Sequence, residues 1–146
     1  MRKTKMVIAG LLACSSGVAM AEPTPVGTWQ AVSDVTGKPT SYVRIAETNG
    51  VLYGTVEKLF NSAEPNPVCS LCTGARKGKP VLGMTILRNV TDQGDGKWGG
   101  GDILDPKSGK VYHVRLELEN GGQRLDVRGY IGIPMLGRSQ TWVRVH

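Results

Sequence analysis

Cys69 and Cys72, separated by two residues in NPVCSLCTGARKGKP, are the first side chains able to carry chemistry. Their spacing serves zinc ligation, thiol–disulfide exchange or a short structural disulfide. A structural zinc needs four ligands, usually Cys or His. Besides this pair the chain offers only Cys14, His113 and His146, and no second cysteine pair. A thioredoxin-like redox centre sets its first cysteine at a helix N-terminus, which lowers the thiol pKa. Here Pro and Gly flank the pair, no helical pattern follows, and only Arg76, Lys77 and Lys79 stand near enough in sequence to favour a thiolate. The reading is a structural disulfide between Cys69 and Cys72. With four residues in the closed loop, chain entropy limits its contribution to about 2 kcal/mol.

Asp102 and Asp105 form a second constellation in WGGGDILDPKSGKVY. Paired carboxylates can exchange protons or hold a cation. Asp105 through Gly109 also reads as a turn, with Asp capping it and Gly closing it. Gly99, Gly100 and Gly101 mark a bend, a bulge or a close approach of strands. They are not a phosphate loop, because no helix and no G-K-[ST] follows. DQGDG at 92–96 lacks the spaced acids and closing Glu of a calcium loop and reads as a turn. Ser139 stands outside any G-x-S-x-G elbow. The binding candidates are therefore Asp102, Asp105, Arg76, Lys77 and Lys79, with no catalytic set, metal site or cofactor motif expected.

The chain that must position these residues opens on a segment of a different kind. Residues 1–21 carry Arg2, Lys3 and Lys5, then an apolar run from Met6 to Cys14, then Ala19-Met20-Ala21. This is the pattern of a secretory signal peptide cleaved after Ala21. Its apolar run falls far short of the ~20 residues a spanning helix needs, and no transmembrane segment is expected in the mature chain. Leu11-Leu12-Ala13-Cys14 offers an alternative, a lipobox whose Cys14 becomes a lipidated N-terminus. Cleavage removes three bases and no acid, so the formal charge falls from +6 to +3. Such a mild charge suits solubility and loose contact with an anionic envelope surface, and does not argue for nucleic acid. The expected location is periplasmic or secreted, or lipid-anchored through Cys14.

Residues 22–146 read as one domain of strand-like runs broken by turn signals. The runs are Val26–Ser33, Ser41–Thr48, Val51–Phe60, Val81–Val90, Lys97–Leu104, Lys110–Glu119, Arg124–Ile133 and Arg138–Val145. Asn49-Gly50 is a strong two-residue hairpin signal. In the sixth run Tyr112, Val114, Leu116 and Leu118 share one face, while His113, Arg115, Glu117 and Glu119 share the other. In the seventh, Leu125, Val127, Gly129, Ile131 and Ile133 form the packed face. One wet and one packed face is the mark of antiparallel strands. About eight such strands with short connections favour a closed up-and-down β-barrel, which has no exposed edges. A β-sandwich is the alternative.

Gly27-Thr28-Trp29 on the first run and Trp142-Val143-Arg144 on the last resemble the ends of lipocalins and their calycin relatives. That resemblance implies that Trp29 closes the barrel base and Arg144 packs over its ring, a cation–π contact joining the chain ends. A longer series resembles the bacterial exported domain-of-unknown-function family DUF2147: GTW at 27–29, LYGTV at 52–56, CSLCTG, WGGGDILDPKSGKVY at 98–112, LDVRGYIG at 125–132 and GRSQTWVR at 137–144. This resemblance implies a signal peptide, a small β domain and an exported location, and no established activity. The expected function is a non-enzymatic exported barrel that binds a small apolar or amphipathic molecule or an envelope partner. The alternatives are an envelope structural or stress interaction protein without a ligand, and an enzyme using Asp102 and Asp105.

Overall fold

The computed structural model describes residues 7–15, 17 and 22–146. Among the described residues, eight strands follow one another: β1 (Gly27–Val32), β2 (Pro39–Thr48), β3 (Val51–Leu59), β4 (Thr85–Gly94), β5 (Lys97–Asp105), β6 (Lys110–Glu119), β7 (Arg124–Tyr130) and β8 (Arg138–Arg144). Each pairs antiparallel with its neighbour, and β8 returns to β1, so the sheet closes into an up-and-down barrel. Closure rules out the sandwich. No helix among the described residues is long and apolar enough to cross a membrane.

Alternation puts one side of each strand in the interior. Val114 and Leu116 of β6 and Leu125 and Val127 of β7 are buried, while His113 and Arg115 face out. Trp29, Ile45, Leu87 and Trp142 join them in one apolar cluster that fills the barrel. Each such side chain contributes about 1.5–3 kcal/mol by leaving water.

Connections alternate between the two ends of the barrel. The turn end carries Asn49-Gly50, Asp95-Gly96 and the Asn120–Gln123 turn, together with the lead-in and the C-terminus. The loop end carries the β1–β2, β3–β4, β5–β6 and β7–β8 connections.

At the turn end the barrel closes through a side chain. The β1–β8 ladder pairs only Trp29 with Arg144 and Gln30 with Val143. Thr28 N–H adds a bond to the His146 carbonyl at 2.7 Å, and Val145 N–H one to the Thr28 carbonyl at 2.8 Å. The Arg144 guanidinium lies 4.3 Å from the centre of the fully buried Trp29 ring. It donates to the Gly122 carbonyl at 2.7 Å, Val26 at 2.8 Å and Thr24 at 2.7 Å. Trp29 Nε1 donates to the Pro25 carbonyl at 2.8 Å. One guanidinium thus ties the lead-in, the β6–β7 turn and β8 together. Gly27 is required here: its φ is +140°, and a Cβ would lie 2.6 Å from Arg144 Nη1 and 2.9 Å from the His146 carbonyl. Burial lowers the Arg144 guanidinium from its ordinary value, but an arginine stays protonated at neutral pH.

Several strand limits shift from the sequence expectation: β2 starts at Pro39 rather than Ser41, and β4 runs on to Gly94 rather than Val90. Two further shifts change the path of the chain. The fourth run was expected to start at Val81, but Gly83 takes φ +84° and breaks the extended path, so β4 starts at Thr85. Val81 and Met84 are buried even so. The seventh run was expected to reach Ile133 with Ile131 and Ile133 packed inside. β7 ends at Tyr130, Gly132 turns the chain at φ +81°, and both isoleucines are exposed.

The β3–β4 connection is also more ordered than its Pro- and Gly-rich sequence suggests. Cys69 and Cys72 form a disulfide, and both are buried in the apolar cluster. A bridge between Val68 and Pro80 closes its neck, and Gly78 N–H donates to the Cys69 carbonyl at 2.7 Å. Cys69 Sγ lies 3.4 Å from the Pro106 carbonyl oxygen, and the Leu71 carbonyl rests against Gly109. The disulfide is therefore a packed part of the loop-end core.

Residues 7–15 form no strand or helix, and Val7, Ile8, Leu11 and Leu12 are exposed. Arg2, Lys3, Lys5 and the Ala19-Met20-Ala21 cleavage motif lie outside the described residues.

Arg144→Ala is expected to cost about 3 kcal/mol in urea unfolding, through the lost cation–π contact and charge-assisted bonds. Arg144→Lys should recover less than half of that, because an ammonium cannot reproduce the planar fork. Gly27→Ala should cost less in the Arg144→Ala background than alone, since one of its two clashes is then gone; equal costs in both backgrounds would refute the close approach. Cys69→Ala/Cys72→Ala should lower Tm by roughly 10 °C in a scanning calorimeter, because loop closure and packing are lost together.

Candidate functional site

Register brings one polar residue from each of four adjacent strands into a row on the outer wall. Arg88 of β4 pairs with Asp102 of β5, Asp102 with His113 of β6, and His113 with Tyr130 of β7. Arg88 Nε and Nη2 grip the two Asp102 carboxylate oxygens at 3.1 and 3.3 Å. The His113 and Tyr130 rings lie with centroids 5.5 Å apart.

The backbone beneath this row is bent. Asn89 takes φ +59° inside β4 and Gly100 takes φ +78° inside β5. Asparagine tolerates that left-handed conformation better than most residues. A Cβ on Gly101 would run into the Arg88 carbonyl, so β4 and β5 approach here only because that side chain is missing. Tyr53 OH donates to Asn89 Oδ1 at 3.4 Å from the β3 side.

Two open grooves flank the bend. The first, of about 460 Å³, is lined by Arg76, Lys79, Leu82, Met84, Thr85 and Arg88 among others. The second, of about 450 Å³, includes Asn89, Asp102, Tyr112, His113, Tyr130 and Ile131. They meet at the Arg88–Asp102 pair. Arg76 is fixed at the edge of the first by its Nη1 bond to the Thr85 carbonyl at 3.1 Å. Burial pushes the Arg76 guanidinium down from its ordinary value and Arg88 pushes it further, while Asp102 partly offsets both. The first groove thus joins three cations, one of them already paired, to the apolar side chains of Leu82 and Met84. Such a lining can hold an anionic head and a short apolar tail.

Of the residues singled out in the sequence, Arg76, Lys79 and Asp102 come together around Arg88. Lys77 does not line either groove. Asp105 is engaged in its own turn: Oδ1 accepts from Lys107 N–H at 3.0 Å and Oδ2 from Ser108 Oγ at 2.9 Å. Asp102 is gripped through both oxygens, so the two carboxylates do not form a free pair. Trp29 and Arg144 belong to the turn-end closure. Among the described residues no three His, Cys, Asp or Glu side chains gather as a metal-ligand set. Arg88, Asn89, Met84 and Tyr130 were not singled out by sequence. Nothing local marks Arg88, a lone cation in an apolar run; only the β4–β5 register reveals its partner.

No curated protein matches the chain. Among solved structures, it is similar to a protein from the human pathogen Helicobacter pylori described as belonging to the lipocalin family. The TM-score is 0.74 at 21% identity, covering 85% of this chain and 84% of that one. At that identity the likeness speaks for the fold, a closed lipocalin-like barrel. The sequence also matches, over residues 27–144, the family DUF2147, described as an uncharacterized protein conserved in bacteria. That match runs from the first residue of β1 to the last of β8, and the chain belongs to this bacterial family.

Proposed function

We propose that the protein is an exported, non-enzymatic β-barrel that binds a small amphipathic molecule with an anionic head. The single observation that supports this most is the first groove, where Arg76, Lys79 and Arg88 face the apolar Leu82 and Met84. The ligand sits on the outer wall near the loop end, not in the lumen, because Trp29, Leu87, Leu116, Leu125 and Trp142 fill the interior. Arg88 is held in place by Asp102, so it can meet an anion without reorganising. Residues 1–21 act as the leader and residues 22–146 form the single mature domain, in the periplasm or secreted. The bacterial family and the disulfide support export.

A second reading, an envelope interaction protein without a ligand, is favoured by the exposed apolar β7–β8 connection. The enzyme reading has the least support, because Asp102 and Asp105 are committed to Arg88 and to a turn.

Dodecyl phosphate titrated into the processed protein should bind saturably by calorimetry and shift the amide signals of residues 76–88. Arg76→Ala/Lys79→Ala should weaken that binding by about tenfold or more, the scale of a lost charge-assisted bond. Native mass spectrometry of protein released gently from the periplasm should reveal a bound small mass. Lack of saturable binding and of any bound mass would refute the ligand reading. The same spectra should give a mature chain starting at Glu22; a diacylglyceryl mass on Cys14 would instead establish a lipid anchor.

A further inference from the structure

We infer that the loop end of the barrel is a docking face for an anionic phospholipid bilayer. The β7–β8 connection exposes Ile131 by 65%, Ile133 by 54%, Met135 by 83% and Leu136 by 76%. Alternation along β7 would have placed the two isoleucines inside. They are outside because the strand stops, and the connection is then fastened in that pose. Arg128 Nε donates to the Pro134 carbonyl at 2.6 Å, Nη2 to the Gly137 carbonyl at 3.2 Å and Nη1 to Ser139 Oγ at 2.9 Å. Arg138 pairs with Asp34 at 2.7 Å, bracing this connection against the β1–β2 loop, whose Val35 is also exposed. The β3–β4 connection adds exposed Leu71 and Leu82 at the same end. Apolar side chains held out of the core on three connections at one end mark an interaction surface.

Charge indicates the occupant. The loop-end segments 33–38, 60–84, 105–110 and 131–138 hold seven Lys or Arg against three Asp or Glu. The turn-end segments 22–26, 47–50, 92–97, 117–124 and 144–146, the last with Arg144, hold three against six. The barrel is therefore an electric dipole with a positive, apolar-tipped end and a negative opposite end. An anionic leaflet attracts the first and repels the second, which orients the barrel axis towards the surface. Aliphatic tips ringed by bases suit shallow insertion among acyl chains.

Met135 and Leu136 line neither groove, so this surface can be tested apart from the proposed ligand site. The experiment is co-sedimentation of the processed protein with vesicles of phosphatidylcholine mixed with phosphatidylglycerol, against pure phosphatidylcholine. Binding is expected to the anionic vesicles and to weaken several-fold at high salt. Met135→Ser/Leu136→Ser should reduce it about tenfold with Tm and dodecyl phosphate binding unchanged, and Val35→Ser should reduce it less. Vesicle binding that survives while dodecyl phosphate binding fails would sink the ligand groove and support the docking face. Absence of binding to anionic vesicles, or binding untouched by Met135→Ser/Leu136→Ser, would overturn the inference.

Discussion

The barrel depends on one guanidinium. Seven of the eight strand seams join sequence neighbours, six of them across short connections and the β3–β4 seam across the long packed segment that carries the disulfide. The eighth joins the two ends of the chain, and its ladder is two residues long. Such a seam involves the longest loop closure in the molecule and has the fewest strand pairs to offset it. Arg144 makes up the difference by stacking on Trp29 and binding three carbonyls from two other segments. Gly27 leaves the space for it. With the seam closed, the sheet has no edge to pair with another chain, and the outer wall becomes a fixed surface on which side chains can be set at defined spacings.

That wall is not uniform. The paired irregularity at Asn89 and Gly100 lets β4 and β5 approach and bend, and two grooves open on either side of the Arg88–Asp102 pair. Likeness to a lipocalin-family structure establishes the closed barrel. It does not by itself place a ligand in the lumen, and here aromatic and aliphatic side chains occupy that volume. The features able to recognise something lie outside: cations beside Leu82 and Met84, and apolar tips on the loop-end connections. The cations Arg76 and Lys79 and the tips Leu71 and Leu82 sit on the packed β3–β4 connection, whose buried disulfide joins it to the core.

How much was legible in the sequence differs from element to element. The alternation of Tyr112 to Glu119 identified a half-buried antiparallel strand, because period-2 patterning follows directly from backbone geometry. Eight such runs with short turns implied closure, and two cysteines without further ligands implied a disulfide. The end of β7 was not legible. Ile131 and Ile133 continue the alternating pattern perfectly well, and only the positive φ of Gly132 and the grip of Arg128 on Pro134 and Gly137 take them out of the core. Arg88 was illegible for another reason. Its significance lies in a cross-strand partner fourteen residues away, and pairing register is a property of the assembled sheet.

The sequence by itself determined an all-β antiparallel class, the succession of strands along the chain and the identity of the charged and apolar residues, since these follow from local periodicity, turn chemistry and composition; closure of β8 on β1, which excludes the sandwich, belongs to the tertiary structure. Only the tertiary structure decided which of those residues meet. Asp102 met Arg88 through register, Arg76 and Lys79 reached the same groove through the packed β3–β4 connection, Asp105 was drawn into its own turn, and the cysteines were packed into the core. The segregation of bases to the loop end and acids to the turn end arose in the same way. Charges that alternate along the chain are sorted in space because successive connections of a meander fall at opposite ends of the barrel.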